Sequence, residues 1–137
     1  NEFTSKMSSR GVKVILFSPS PYFNGTREKI VNNQICQDQW FRLKLHTSCN
    51  QLISRAQLVK SNSFITYHSN RWKHSHSNAF LFNQFDYLCP DSNDNCQNSY
   101  EGNIYLYDGD HLNYYGGKIL AEPFLDFIIS EKILLGH

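Results

Sequence analysis

The residues best suited to chemistry are Asp108-Gly109-Asp110-His111-Leu112, followed by Gly116-Gly117. A carboxylate three residues before a histidine, on a tight loop eased by Gly109, can reach the imidazole. One ring nitrogen then donates to the carboxylate and the other faces a substrate or nucleophile. The carboxylate fixes the tautomer and stabilises the imidazolium that forms when a serine gives up its proton, so such a pair makes a general base. Asp108 and His111 are the candidate catalytic residues on this reading. Asp110 competes for the orienting role, but adjacent residues on an extended or turning chain point apart, whereas a three-residue separation can fold back. Taken alone, the pattern also fits an Asp-rich turn that happens to precede a helix.

Positioning such a pair requires a scaffold, and the flanking residues outline one. Ile104-Tyr105-Leu106-Tyr107 reads as a short extended segment delivering the loop. A helix follows, with Asn113 able to cap it and Leu120, Phe124, Phe127 and Ile128 repeating at i, i+4, i+7 and i+8. Residues 108–130 therefore form a loop-and-helix unit, within which Pro123 is expected to kink or divide the helix. Earlier in the chain, Val12–Phe17 is a β-branched, apolar run stopped by Ser18-Pro19-Ser20-Pro21, and it reads as a buried strand. The residues from Phe3 to Arg10 fit the last turns of a helix that ends at Gly11. A second strand is expected around Phe80–Phe82. Between the strands lie a long polar excursion over residues 22–50 and a helix from Gln51, carried by Leu52, Ile53, Ala56, Leu58 and Val59 and fraying before Asn62 or Tyr67. Strand, excursion with helix, then strand is the order of a crossover unit, so an α/β fold with parallel pairing is expected.

Composition narrows the functional classes. The chain has 137 residues, the length of one domain, and thirteen basic against twelve acidic residues give a net charge of +1. That balance has no bias toward nucleic acid or anionic lipid. With 40% hydrophobic and 15% aromatic residues there is enough apolar surface for a core. No apolar run nears the roughly 20 residues of a spanning helix, no charged-then-apolar leader is visible, and the sequence opens Asn1-Glu2-Phe3 without methionine. Four cysteines fall into two local pairs, Cys36 with Cys49 and Cys89 with Cys96. Neither spacing suits zinc, whereas loop-closing separations suit two disulfides in an oxidising compartment. Four buried thiols in a reducing compartment are the alternative.

Taken together, Phe85-Asp86-Tyr87-Leu88-Cys89-Pro90, Cys96, and the run from Tyr105 through Asp108-Gly109-Asp110-His111-Leu112-Asn113 to Gly117 resemble the C-terminal part of the SGNH/GDSL hydrolase domain. More narrowly, they resemble the variant fused behind the membrane domain of acyltransferase-three family O-acyltransferases. The strand Val12–Phe17 with its Ser-Pro-Ser-Pro stop, followed by Cys36 and Cys49, is similar to that family's preceding strand and cysteine-bearing loop. The resemblance covers roughly residues 11 to 130 and is strongest from 85 to 120. It implies a flavodoxin-like three-layer α/β/α domain with a parallel sheet, incomplete at its N-terminus, with Asp108 as triad acid and His111 as base. The family's Gly-Asp-Ser and Gly-x-Asn-Asp blocks are not in this sequence, and Leu112-Asn113 stands where Leu-Ser is more usual. The implied parent transfers or hydrolyses an acyl ester on the extracytoplasmic, periplasmic side of a membrane. Its partners would be a glycan or other acyl acceptor, the upstream half of the same domain, and a membrane acyltransferase domain.

Other features read more plainly. His74 and His76 alternate and could line one side of an extended segment, but no third metal ligand is suggested by spacing, so no metal or other cofactor is expected. Arg71-Trp72-Lys73 is either a sugar-stacking platform or a surface aromatic packed beneath neighbouring alkyl stems. Asn24-Gly25-Thr26 satisfies the N-glycosylation pattern. The competing functional class is a non-catalytic, secreted, disulfide-stapled module that binds carbohydrate or protein through Trp72 and the tyrosines.

Overall fold

The computed structural model of the chain describes residues 2–23, 50–106 and 109–134. Cys36, Cys49, Asp108 and all but the ends of the 22–50 excursion lie outside the described residues. The first helix, α1 (Glu2–Ser8), ends where the sequence places its stop. Gly11 adopts φ +70°, the Gly11 amide donates to Ser8 O (2.9 Å) and the Val12 amide to Met7 O (3.0 Å). This paired closure satisfies the last helical carbonyls and needs a left-handed residue at the exit.

Strand β1 (Val14–Phe17) pairs in parallel with β3 (Ala79–Phe82), in the register Val14↔Ala79 to Phe17↔Phe82. Amide bonds from Val14 to Asn78 O and from Ser18 to Phe82 O, both 2.9 Å, close the two ends of the pair. The helix α2 (Arg55–His74) lies between them in sequence and packs against β3. The α/β class and the parallel pairing expected from the sequence are therefore present.

The start of the predicted helix at Gln51 is corrected. Leu52–Ser54 instead forms β2, antiparallel to β4 (Asn95–Gln97), with Ile53 opposite Cys96. Asn98 extends this ladder, its side-chain oxygen accepting from the Gln51 amide at 2.8 Å. A strand far along the sequence claimed residues whose local spacing is helical, as tertiary partners commonly do. Helix α2 then runs unbroken through Asn62 and Tyr67 to His74, since it contains neither glycine nor proline. Arg71, Lys73 and His74 in its last turn complement the negative end of the helix dipole.

The short helix α3 (Gln84–Leu88) leads to Cys89, which is disulfide-bonded to Cys96 across a Cα–Cα distance of 5.1 Å. The expected Cys89–Cys96 bridge is thus present. A hairpin of β5 (Ser99–Tyr100) and β6 (Asn103–Ile104) follows, turning through Glu101 and Gly102 at φ 50° and 78°. Positive φ at both central residues is what a two-residue hairpin of native twist requires.

Helix α4 (Tyr114–Ser130) completes the described fold. Pro123 sits inside it and does not divide it, so of the two expected effects, a kink or a division, the second is corrected. Leu120 before the proline and Phe124 and Phe127 after it all seat on the same core, so burial holds both halves in register despite the missing amide. The centre of that core is Phe82, 1% exposed, whose ring meets Phe17 (5.3 Å), Phe124 (5.1 Å), Phe127 (5.3 Å) and Tyr87 (5.5 Å) between centroids. Edge and offset contacts of this kind add to the area each ring buries.

Candidate active site loop

The segment after β6 carries the chain from the core to the surface within a few residues. Tyr105 and Leu106 are buried, at 2% and 0% exposure. The Tyr105 hydroxyl donates to Gln97 O and lies 3.4 Å from Leu88 O, so it bridges the two flanks of the disulfide loop. Burial pushes its phenol well above the ordinary tyrosine range, because the charged form would have to be desolvated. Leu106 bridges back to Leu112, closing the loop that contains His111.

At the far side of that loop, Asn113 does two jobs. Its Oδ1 accepts from the amides of Tyr115 (2.9 Å) and Gly116 (3.2 Å), satisfying two donors at the start of α4. Its Nδ2 donates to Ile104 O at 2.7 Å, and its own amide donates to Tyr105 O at 3.0 Å. A serine would cap equally well but has no amide to reach Ile104, which gives Asn113 a physical reason for its place. Gly116 is fixed by crowding: a Cβ there would stand 2.5 Å from Tyr105 O and 2.7 Å from Leu112 Cδ2.

His111 projects from this frame with its side chain 76% exposed. Its Nδ1 lies 3.2 Å from Asp110 Oδ1, whose side chain is 51% exposed. The argument that neighbouring residues point apart thus does not hold at this turn, where the adjacent carboxylate reaches the ring. Asp108, and with it the expected Asp108–His111 pairing, lies outside the described residues.

The opposite wall of the loop comes from the residues that end β1. Ser20 Oγ donates to Asp110 O at 2.7 Å, and the Phe23 amide donates to Gly109 O at 3.0 Å. Asn62 on α2 donates from Nδ2 to Ser20 O at 3.3 Å. A Cβ on Gly109 would stand 2.8 Å from the Tyr22 ring. In the sequence Ser18-Pro19-Ser20-Pro21 reads as a strand stop shared with the family resemblance, and no local signal links Ser20 to Asp110, ninety positions away. Ser18 itself is buried and occupied, donating to Asn83 Oδ1 (3.0 Å) and accepting from the Phe85 amide (3.2 Å).

These features join in a family. The chain matches the SGNH domain (fused to AT3 domains) over residues 1–126. It belongs to that SGNH family. No curated protein and no solved structure matches the chain. Membership agrees with an α/β fold in which a loop bearing histidine is held near the carboxyl end of a parallel strand. Among the described residues, no helix is long and apolar enough to cross a membrane.

The remaining candidates separate from this site. His74 closes α2 and His76 sits just beyond it, its Nδ1 2.9 Å from Trp72 O, so the two do not line an extended segment, the arrangement their alternation could have given. Trp72 is half-buried, and its indole N–H donates to Thr4 Oγ1 at 3.0 Å, tying α1 to α2. Arg55 pairs with Asp86 (2.8 Å) and Asp91, and donates from Nε to Cys89 O (3.2 Å), which fastens the start of α2 to the disulfide loop.

Proposed function

We propose that this chain is the C-terminal part of an SGNH acyl-ester transferase or hydrolase, in which Asp108 and His111 serve as acid and base of a Ser-His-Asp triad. The serine and the oxyanion donors come from a Gly-Asp-Ser and a Gly-x-Asn-Asp segment outside this sequence. Membership in the SGNH family linked to AT3 domains carries the reading. The exposed ring of His111, on the loop ahead of α4, supports the role of His111 as base.

On this reading His111 Nε2 takes the serine proton as the serine oxygen attacks the acyl carbonyl carbon. The Asp108 carboxylate stabilises the imidazolium while the tetrahedral intermediate lasts. The imidazolium then gives that proton to the departing oxygen, leaving an acyl-serine. In the second half His111 takes the proton of an acceptor hydroxyl, whose oxygen attacks the acyl carbon, and returns it to the serine. A sugar hydroxyl as acceptor makes the reaction O-acylation of a glycan, and water makes it hydrolysis. The intact domain is read as a flavodoxin-like three-layer α/β/α sandwich, completed by its upstream half. It works beside a membrane acyltransferase domain on the extracytoplasmic, periplasmic side of the membrane, with no cofactor.

The test uses the polypeptide that carries this chain together with the Gly-Asp-Ser segment, assayed on p-nitrophenyl acetate. His111→Ala is expected to lower kcat by roughly 10³- to 10⁴-fold, and Asp108→Asn by more than Asp110→Asn. Full activity in His111→Ala overturns the triad reading. Equal losses in the two Asn variants overturn the choice of Asp108 as the acid.

A further inference from the structure

We propose that Ser20 is a positioning residue for His111, acting through the peptide between Asp110 and His111; this rests on His111 being the base. A peptide unit is planar from one Cα to the next, so fixing the oxygen of Asp110 also constrains the Cα of His111. Ser20 Oγ holds that oxygen at 2.7 Å, while the Phe23 amide holds the preceding carbonyl, that of Gly109, at 3.0 Å. Two successive carbonyls before the base are therefore gripped by one segment.

That segment is itself anchored. Pro21 and Phe23 are buried, the latter at 1% exposure, while Ser20 and Tyr22, which alternate with them, contact the loop. Asn62 braces Ser20 from α2 through the 3.3 Å bond to its carbonyl. The grip thus transmits the position of β1 and α2 to a histidine whose own side chain is largely exposed. An exposed imidazole has many rotamers and backbone settings open to it. A backbone clamp removes part of that freedom before any substrate arrives, which is how a supporting group preorganises a reacting one.

The experiment is nuclear magnetic resonance on the full chain, observing the His111 ring nitrogens and the amides of Gly109 to Leu112. In Ser20→Ala the His111 ring signals are expected to shift and the loop amides to broaden, while the melting temperature moves by less than about 4 °C, as for an ordinary surface change. Ser20→Thr, which keeps the hydroxyl, is expected to restore the wild-type signals. Asn62→Ala, one bond farther away, should move them in the same direction by less. His111 ring signals in Ser20→Ala that superimpose on those of the wild type overturn the proposal, as does a failure of Ser20→Thr to restore them. The readout is spectroscopic, so failure of the triad reading in the ester assay leaves this outcome distinguishable.

Discussion

The segment from Ile104 to Asn113 contains two opposite solutions to placing a side chain. Tyr105 and Leu106 are sealed in the core, and the polar end of the Tyr105 side chain is used on backbone carbonyls. Five residues beyond Leu106, His111 stands mostly in solvent, and its loop is held by bonds to the backbone on either side of it. The first region draws its stability from burial, the second its position from hydrogen bonds that cost little to break. A domain that must present a reactive group needs both, and the difference separates substitutions that unfold the chain from those that misplace the group.

The sharpest way to break the buried region is Phe82→Ala, which removes the ring at the centre of the aromatic cluster. A loss of about 3–5 kcal/mol is expected in urea unfolding, from lost burial plus the cavity left behind. Next, replacing Cys89 and Cys96 by serine releases a short loop and should cost about 2–3 kcal/mol on the chain-entropy model, again read by urea midpoint.

Tyr105→Phe leaves Gln97 O without its donor and should cost about 1–3 kcal/mol. The same variant sharpens a pH comparison. Folding raises the Tyr105 pKa above its ordinary value of 10.0, so the neutral phenol contributes fully below pH 10 and its contribution is lost as the pH rises beyond it. Melting curves of the wild type should therefore fall more steeply above pH 10 than those of Tyr105→Phe; parallel falls would show that this phenol does not matter.

At the boundary between the two regions, Asn113→Ala removes both the cap and the tie to Ile104 and should cost about 1–2 kcal/mol. Asn113→Ser should recover the capping part alone. The smallest expected effect on stability is that of His111→Ala, within about 0.5 kcal/mol of the wild type, because the side chain is exposed. A large destabilisation by that variant would remove the contrast between a packed frame and a displayed group.

Legibility in the sequence followed the range of the interactions. Gly11 as a helix stop, strands at the apolar runs Val12–Phe17 and Phe80–Phe82, and Asn113 as a cap depend on neighbours a few residues away, and each is present. The burial expected of the first strand is corrected: Leu16 and Phe17 are 37% and 43% exposed, because how much of a strand is covered depends on distant elements. Leu52–Ser54 read as helix because its spacing is helical; the pairing with Asn95–Gln97 is a long-range fact. Division of α4 at Pro123 is expected on local grounds, and the shared seating of Leu120, Phe124 and Phe127 on one core keeps the helix in one piece.

The same division holds at the candidate site. The sequence by itself determined that a histidine would follow two acidic residues on a loop ahead of a capped helix, since residue order and capping chemistry are local. It also determined that Cys89 and Cys96 lie close enough to bond. Only the tertiary structure brought Ser20, Tyr22 and Phe23 to Gly109 and Asp110, and only it turned the Asp110 carboxylate toward His111 Nδ1. The physical reason is that a hydrogen bond between distant residues forms only after buried side chains have closed the chain between them, and no residue pattern along the sequence records that closure.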